Sequence, residues 1–301
     1  MQNGAWTRIA VFIVLAFAVS WAVFWLVKPL LPPEAGVAAY VLFMFGPLVA
    51  ALLTANLFDR GRVVALLALR PRFNLWWLVA WLAPVVIVGL AWGLSLLIPG
   101  TEPRDLAVGI ADLARQQGVD ETSLAQLPPA WILILGSITA GGLINTFAAM
   151  GEEAGWRGYL WSLLRPLGFW QAVLITGIVW GLWHAPVIID GHNYGGGYAG
   201  YPGLGIGMMV LCTLGLSPIL GLIRDRTGTS WAPALFHGTL NALGGLTAAA
   251  ILGGHPLLVG IAGAAGVAAL ALVTLLVALR RPAAVAPVDP ATGAAGAITS
   301  R

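Results

Sequence analysis

The stretch "GEEAGWRGYL", residues 151–160, sets two adjacent carboxylates and an arginine in a chain that is otherwise close to lipid-like. On a helix Glu153 and Arg157 share one face at the spacing of an ion pair. Glu152 is turned by about 100° from its neighbour and shares its own face with Trp156 and Tyr159. One carboxylate therefore has a counter-charge in reach, while its neighbour need not and could also serve packing. The Glu153–Arg157 pair also reads as a packing device, since arginine pairs bidentately and is a poor proton acceptor. In "VWGLWHAP", His184 follows Trp180 by four residues, and Pro186 then kinks or ends the helix. In "FHGTLNALGG", His237 and Asn241 face the same way and can aim two donors at one point, as a developing oxyanion requires. Two packing residues would have the same spacing, and His184 could equally hold a neighbouring helix. A carboxylate and an imidazole facing a histidine–asparagine pair can activate water for attack on an amide.

Other chemistries fit less well. Cys212 is the sole cysteine, which excludes an intramolecular disulfide and any multi-cysteine metal site. It has no predicted base neighbour, and Ser217 precedes Pro218 in an apolar helix, so activated water is expected rather than a covalent nucleophile. Glu152, His184 and His237 match the ligand types of many catalytic zinc sites, but no HExxH helix is present and the three groups come from separate spans. Direct activation without a cofactor is the expectation, with zinc-dependent hydrolysis as the alternative.

These groups are unusual because of the solvent implied by the rest of the chain. Of 301 residues, 59% are hydrophobic and only 9% charged, against about 25% charged in soluble domains. An all-α, polytopic membrane protein is expected, with the bilayer as its partner and a polar cavity at its centre. The net charge of +3 does not suggest nucleic acid, because the arginines cluster in short loops between apolar runs. The first apolar run, "IAVFIVLAFAVSWAVFWLV", exceeds the roughly 7–15 residues of a cleavable signal, so it reads as a retained span. Ionisable groups inside spans are costly and mark function by default. Here they are Glu152, Glu153, Arg157, His184 and His237, accompanied by Asn145 and Asn241.

Spans of about 20 apolar residues are expected near 9–27, 38–57, 75–98, 130–164, 170–189, 204–223, 231–252 and 259–279, giving eight. The fourth region is too long for one straight crossing, so a break is expected at Ala140–Gly142, with the crossing at about 143–164. If both termini share a face, that face carries Arg8, Arg60, Arg62, Arg70, Arg72, Arg165, Arg224, Arg226, Arg280, Arg281 and Arg301. The other face has Lys28, Arg104 and Arg115, which puts both termini in the cytoplasm. Residues 101–128 read as an acidic external loop with a short surface helix, 60–72 as a basic interfacial segment and 192–203 as a flexible external loop. One membrane domain covers 1–282, and 283–301 form a disordered cytoplasmic tail. No internal duplication is evident, which disfavours repeat-built transporters. Counted along the helices, Glu152 and His184 reach similar depths, whereas His237 lies too soon after Thr229 and Ser230 to meet them unless its helix starts deeper.

At these residues the chain resembles the CPBP intramembrane protease family, which includes the type II CAAX prenyl endopeptidases and bacterial Abi proteins. "EEAGWR" is similar to the first family motif and "WGLWH" to the second, with tryptophan where phenylalanine is usual. His237 and Asn241 are similar to the third. The resemblance covers about 140–245. It implies Glu152 and His184 as water activators, His237 and Asn241 as oxyanion donors, and Glu153 and Arg157 as orienting groups, with Trp180 walling the pocket. It further implies an endopeptidase acting on a membrane-embedded or lipidated peptide, of the kind found in bacterial cell membranes. A proton-coupled transporter and a non-enzymatic membrane or immunity partner are the competing readings.

Overall fold

The computed structural model describes residues 3–32, 35–116, 119–124 and 126–279, so the tail expected at 283–301 lies outside the described residues. Helix α1 (Asn3–Ala22) runs on through a π-turn, Val23–Val27, and a tight turn, Lys28–Leu30. Helices α2 (Gly36–Met44) and α3 (Gly46–Phe58) form one interrupted rod. Pro47 lies at the start of α3, where its missing N–H is tolerated. A short α4 (Val63–Leu66) precedes α5 (Trp76–Ser95). Strand β1 (Thr101–Pro103), α6 (Leu106–Gln116) and α7 (Glu121–Leu124) then cross the acidic segment. The surface helix expected there is α6, and Asp105 Oδ1 caps it by accepting the amides of Ala107 and Val108.

The next elements are α8 (Ala130–Gly136), α9 (Gly142–Glu153) and α10 (Trp161–Leu164), joined by π-turns at Ser137–Gly141 and Ala154–Leu160. They are followed by α11 (Phe169–Trp183), α12 (Ala185–Ile189), α13 (Gly203–Thr227) and α14 (Trp231–Ala249). Strand β2 (Ile251–Gly253) pairs antiparallel with β1, and α15 (Ala264–Leu279) completes the described chain. Among the described residues, five helical runs are long and apolar enough to cross a membrane: Gly4–Leu30, Gly36–Phe58, Trp76–Ser95, Ala130–Leu167 and Gly203–Thr227. Phe169–Trp183 and Ala264–Leu279 are apolar but shorter.

The break expected at Ala140–Gly142 is absent. The helical run continues from Ala130 to Leu167 over 38 residues, and Gly141 and Gly142 keep right-handed helical angles. The helix widens into π-turns instead of breaking, so its backbone groups stay paired in a setting where unpaired ones are costly. The glycines serve a close helix crossing. A Cβ on Gly142 would stand 2.8 Å from Thr239 Oγ1, and one on Gly238 would stand 2.4 Å from the Thr146 backbone nitrogen. Helices α9 and α14 therefore meet almost backbone to backbone, as small residues permit in membranes. Gly238→Ala should lower stability by about 1–3 kcal/mol through overpacking. The midpoint of thermal unfolding in detergent measures this, and an unchanged midpoint would mean the crossing can relax.

A second departure concerns the depth of α14. Gly228, in a left-handed conformation (φ 69°), ends α13, and the turn after it is buried, with Thr229 and Ser230 both at 0% exposure. The 60–72 segment, expected at the interface, folds its middle inward to hold this turn. Ser230 Oγ donates to Leu67 O at 2.8 Å, Thr229 Oγ1 to Ala68 O at 3.1 Å, and Trp231 Nε1 to Leu69 O at 2.9 Å. Helix α14 thus begins inside the protein, which brings His237 to the level that the sequence alone could not provide. The 192–203 loop also docks: Tyr194 is buried and its hydroxyl donates to Ala262 O at 2.9 Å.

Candidate active site

Trp180, near the end of α11, touches four of the polar residues singled out in the sequence. Its Nε1 donates to Glu152 Oε2 at 2.7 Å, and its backbone carbonyl accepts from His184 Nδ1 at 2.8 Å. Its ring centroid lies 4.2 Å from the Arg157 guanidinium carbon and 5.4 Å from the His237 ring centroid. Because a carbonyl can only accept, the His184 tautomer carries hydrogen on Nδ1, which leaves Nε2 as the acceptor of that ring. The pairing follows from local structure, since α11 ends at Trp183 and His184 turns back onto the carbonyl four residues earlier.

Beside this hub lies a buried ionic cluster. Glu153 Oε1 accepts Arg157 NH1 at 3.0 Å and His237 Nδ1 at 2.9 Å. The second Arg157 terminal nitrogen donates to Ser217 Oγ at 3.2 Å, and both Glu153 and Arg157 are fully buried. The four-residue spacing of Glu153 and Arg157 therefore makes the expected pair, but His237 is a third member that the spacing did not indicate. Ser217, set aside in the sequence as an apolar-helix serine, also belongs here as the far anchor of Arg157. Asn145 does not join: its amide donates back to Gly141 O at 2.9 Å along its own helix.

A cavity of about 520 Å³ is lined by Glu152, Trp180, His184, His237 and Asn241. Around them stand apolar walls that include Phe43, Met44, Met209, Leu216 and Leu240. Helices α9, α11, α12, α13 and α14 supply the polar and apolar residues together, with α2 closing one side. Cys212 and Thr213 also border this space, and the Cys212 thiol has only a long contact, 3.9 Å, to Ile261 O. Tyr40, His192 and the Val259–Ala262 turn line its other end. Nothing in the sequence pointed to them, because each is an ordinary span-end or loop residue until the fold closes.

The zinc alternative can be tested against the donor atoms. Among the described residues, no three histidine, cysteine, aspartate or glutamate side chains are grouped as a metal site requires. Glu152 Oε2 accepts an indole N–H and His237 Nδ1 pairs with Glu153, which leaves the second carboxylate oxygen and the ring Nε2 as the donors a metal would use. As arranged, Glu152, His184 and His237 are not grouped as a three-ligand zinc site.

The Trp180 side chain allows a sharp test of positioning. Trp180→Phe keeps a ring on Arg157 but deletes the N–H that holds Glu152. Loss of one hydrogen bond to a charged group should lower kcat about tenfold with KM little changed, measured on the first peptide shown to be cleaved. An equal kcat would leave the indole N–H without a role.

A helical membrane protein with a carboxylate, two imidazoles and an amide around one interior cavity is the class that this geometry defines. The pattern described as "Type II CAAX prenyl endopeptidase Rce1-like" matches residues 122–243, which contain Glu152, His184, His237 and Asn241. A protein of Methanococcus maripaludis called "CAAX prenyl protease 2" is 37% identical over 92 residues. That similarity takes in 23% of this chain and 34% of the archaeal protein, about a third of its length. Within residues 122–243 the chain is therefore similar to CAAX-protease-like proteins of the CPBP type.

Proposed function

We propose that this protein is an intramembrane endopeptidase that hydrolyses a peptide bond of a membrane-embedded or lipidated peptide with activated water. The single observation that carries the reading is the cavity shared by Glu152, His184, His237 and Asn241. In this reading α11–α12, α14 and α15 also cross the bilayer, giving eight spans around that cavity, with both termini in the cytoplasm.

Glu152 acts as general base, assisted by His184 Nε2, and takes a proton from water. The hydroxide adds to the carbonyl carbon, and the negative charge moves onto the carbonyl oxygen. His237 and Asn241 donate to that oxyanion. With its Nδ1 hydrogen directed at Glu153, His237 can donate from Nε2 only when the ring carries a second proton. The proton held by Glu152 then passes to the leaving nitrogen, the C–N bond breaks, and an acid and an amine are released. Arg157 and Ser217 are positioning residues, since they hold Glu153 and thereby His237.

The test works without an identified substrate. Membranes containing the wild-type protein or Glu152→Gln are compared by labelling new peptide N-termini. Termini that depend on Glu152 support hydrolysis. Identical terminus profiles, with both proteins inserted at equal levels, would favour the transporter or non-enzymatic reading.

A further inference from the structure

We infer that the cavity is entered from the face opposite the arginine-rich loops, past a clamp formed by Lys28, Tyr40 and Asp190. The substrate class is therefore a peptide segment presented from the non-cytoplasmic side, not a cytoplasmic lipidated tail. This inference rests on the proposed peptidase reading and specifies its substrate.

Three observations carry it. The first is where the cavity stops. Among the described residues, none of its lining comes from the span ends and loops that bear Arg8, Arg60, Arg62, Arg70, Arg72, Arg165, Arg224 and Arg226. On that side the residues after Glu152 are packed, with Arg157 and Tyr159 at 0% exposure and Trp161 at 1%, and none of the three lines the cavity. The second is where the cavity continues. Its other end is lined by Tyr40, His192 and Asn193, on segments where basic residues are few. Because basic residues near span ends mark the cytoplasmic side, this mouth faces outward.

The third observation is the arrangement at the mouth. Asp190 Oδ2 accepts both the Lys28 ammonium and the Tyr40 hydroxyl. The Lys28 ammonium also lies 4.6 Å from the Phe24 ring centroid, and the Tyr40 ring lies 5.5 Å from that of His192. These contacts tie the turn after α1 and the start of α2 to the end of α12, across 162 residues of sequence. The members are partly exposed, with Lys28 at 24% and Asp190 at 35%. A pair of this exposure is weak enough to open. Separating α2 from α12 would uncover Phe43 and Met44 on one wall and Val187 on the other, which suits an apolar peptide flank. His184 and Glu152 lie further in.

Thiol accessibility tests this without relying on catalysis. In a Cys212→Ser background, Gly245→Cys places a reporter in the cavity wall where an added Cβ meets nothing within 4 Å. Asn193→Cys reports on the mouth, and Phe73→Cys, at a position 79% exposed beside Arg72, reports on the opposite face. Intact cells are treated with a membrane-impermeant maleimide, then the treatment is repeated after permeabilisation. Gly245→Cys and Asn193→Cys should react in intact cells, and Phe73→Cys only after permeabilisation. Adding Asp190→Asn should raise the Gly245→Cys rate about fivefold, the upper range for releasing a surface ion pair. Labelling of Gly245→Cys only after permeabilisation, or of Phe73→Cys in intact cells, would overturn the outward mouth. No labelling of Gly245→Cys on either side while Asn193→Cys reacts would overturn the entry route, and an unchanged rate in Asp190→Asn would overturn the clamp. The labelling pattern should be the same with Glu152→Gln added, so failure of access and failure of hydrolysis are separable.

Discussion

Glu152→Gln should lower peptide-bond hydrolysis by about 10²–10⁴-fold, the range contributed by a positioned general base, with no loss of folded protein. The substitution is isosteric, and the glutamine carbonyl can still accept the Trp180 indole N–H that Glu152 Oε2 accepts at 2.7 Å. What is lost is the capacity to take a proton from water. His184→Gln should fall in the same direction by less, because His184 in this scheme assists rather than replaces the carboxylate. Turnover of a purified substrate in nanodiscs, with retention of helical signal and monodispersity, is the measurement. Turnover in Glu152→Gln within a factor of two of wild type would remove Glu152 from the chemistry.

Arg157→Met should produce the largest fall in stability, about 3–5 kcal/mol, because removing one partner leaves a buried charge uncompensated. Arg157 is fully buried and donates to Glu153 Oε1 at 3.0 Å and to Ser217 Oγ at 3.2 Å. Its guanidinium also lies over the Trp180 ring. Methionine matches part of the volume and none of the charge. Arg157→Lys should recover only part of the loss, since an ammonium is a point donor and cannot serve Glu153, Ser217 and the indole face together. Glu153→Gln combined with Arg157→Met should be more stable than Arg157→Met alone, because the unpaired carboxylate is removed as well. Thermal unfolding in a fixed detergent, followed by tryptophan fluorescence, gives the ranking. A double variant no better than the single one would show that the cluster acts through packing and not through charge.

The two expected effects separate chemistry from support. Glu152 is held by a single indole N–H and borders the cavity, whereas Glu153 one residue later is fully buried between Arg157 and His237. Adjacent carboxylates on one helix face different surroundings because a step of one residue turns the side chain by about 100°. The π-turn that begins at Ala154 follows directly, so Arg157 reaches back to Glu153 across a widened backbone.

Part of this was legible before any fold was known. Few charges and long apolar runs determine the bilayer as the solvent, and in that solvent each interior ionisable group stands out against its neighbours. Glu152, Glu153, Arg157, His184 and His237 were therefore identifiable by type alone. Helix periodicity also placed Glu153 on the same face as Arg157, because that pair is local. The tertiary structure decided what is not local. It decided that His237 bonds to Glu153, that Ser217 anchors Arg157, and that Tyr40 and His192 belong to the same cavity as Glu152. It also decided that the glycines at 141 and 142 continue the helix where their sequence suggests a break, since their value lies in the approach of α14 and not in their own flexibility. The physical reason is that the offset between helices depends on how closely two backbones can pack and how deep each one starts. The depth of α14 is set by a turn hydrogen-bonded to carbonyls at residues 67–69, more than 150 positions earlier, and no periodicity within a single helix carries that information.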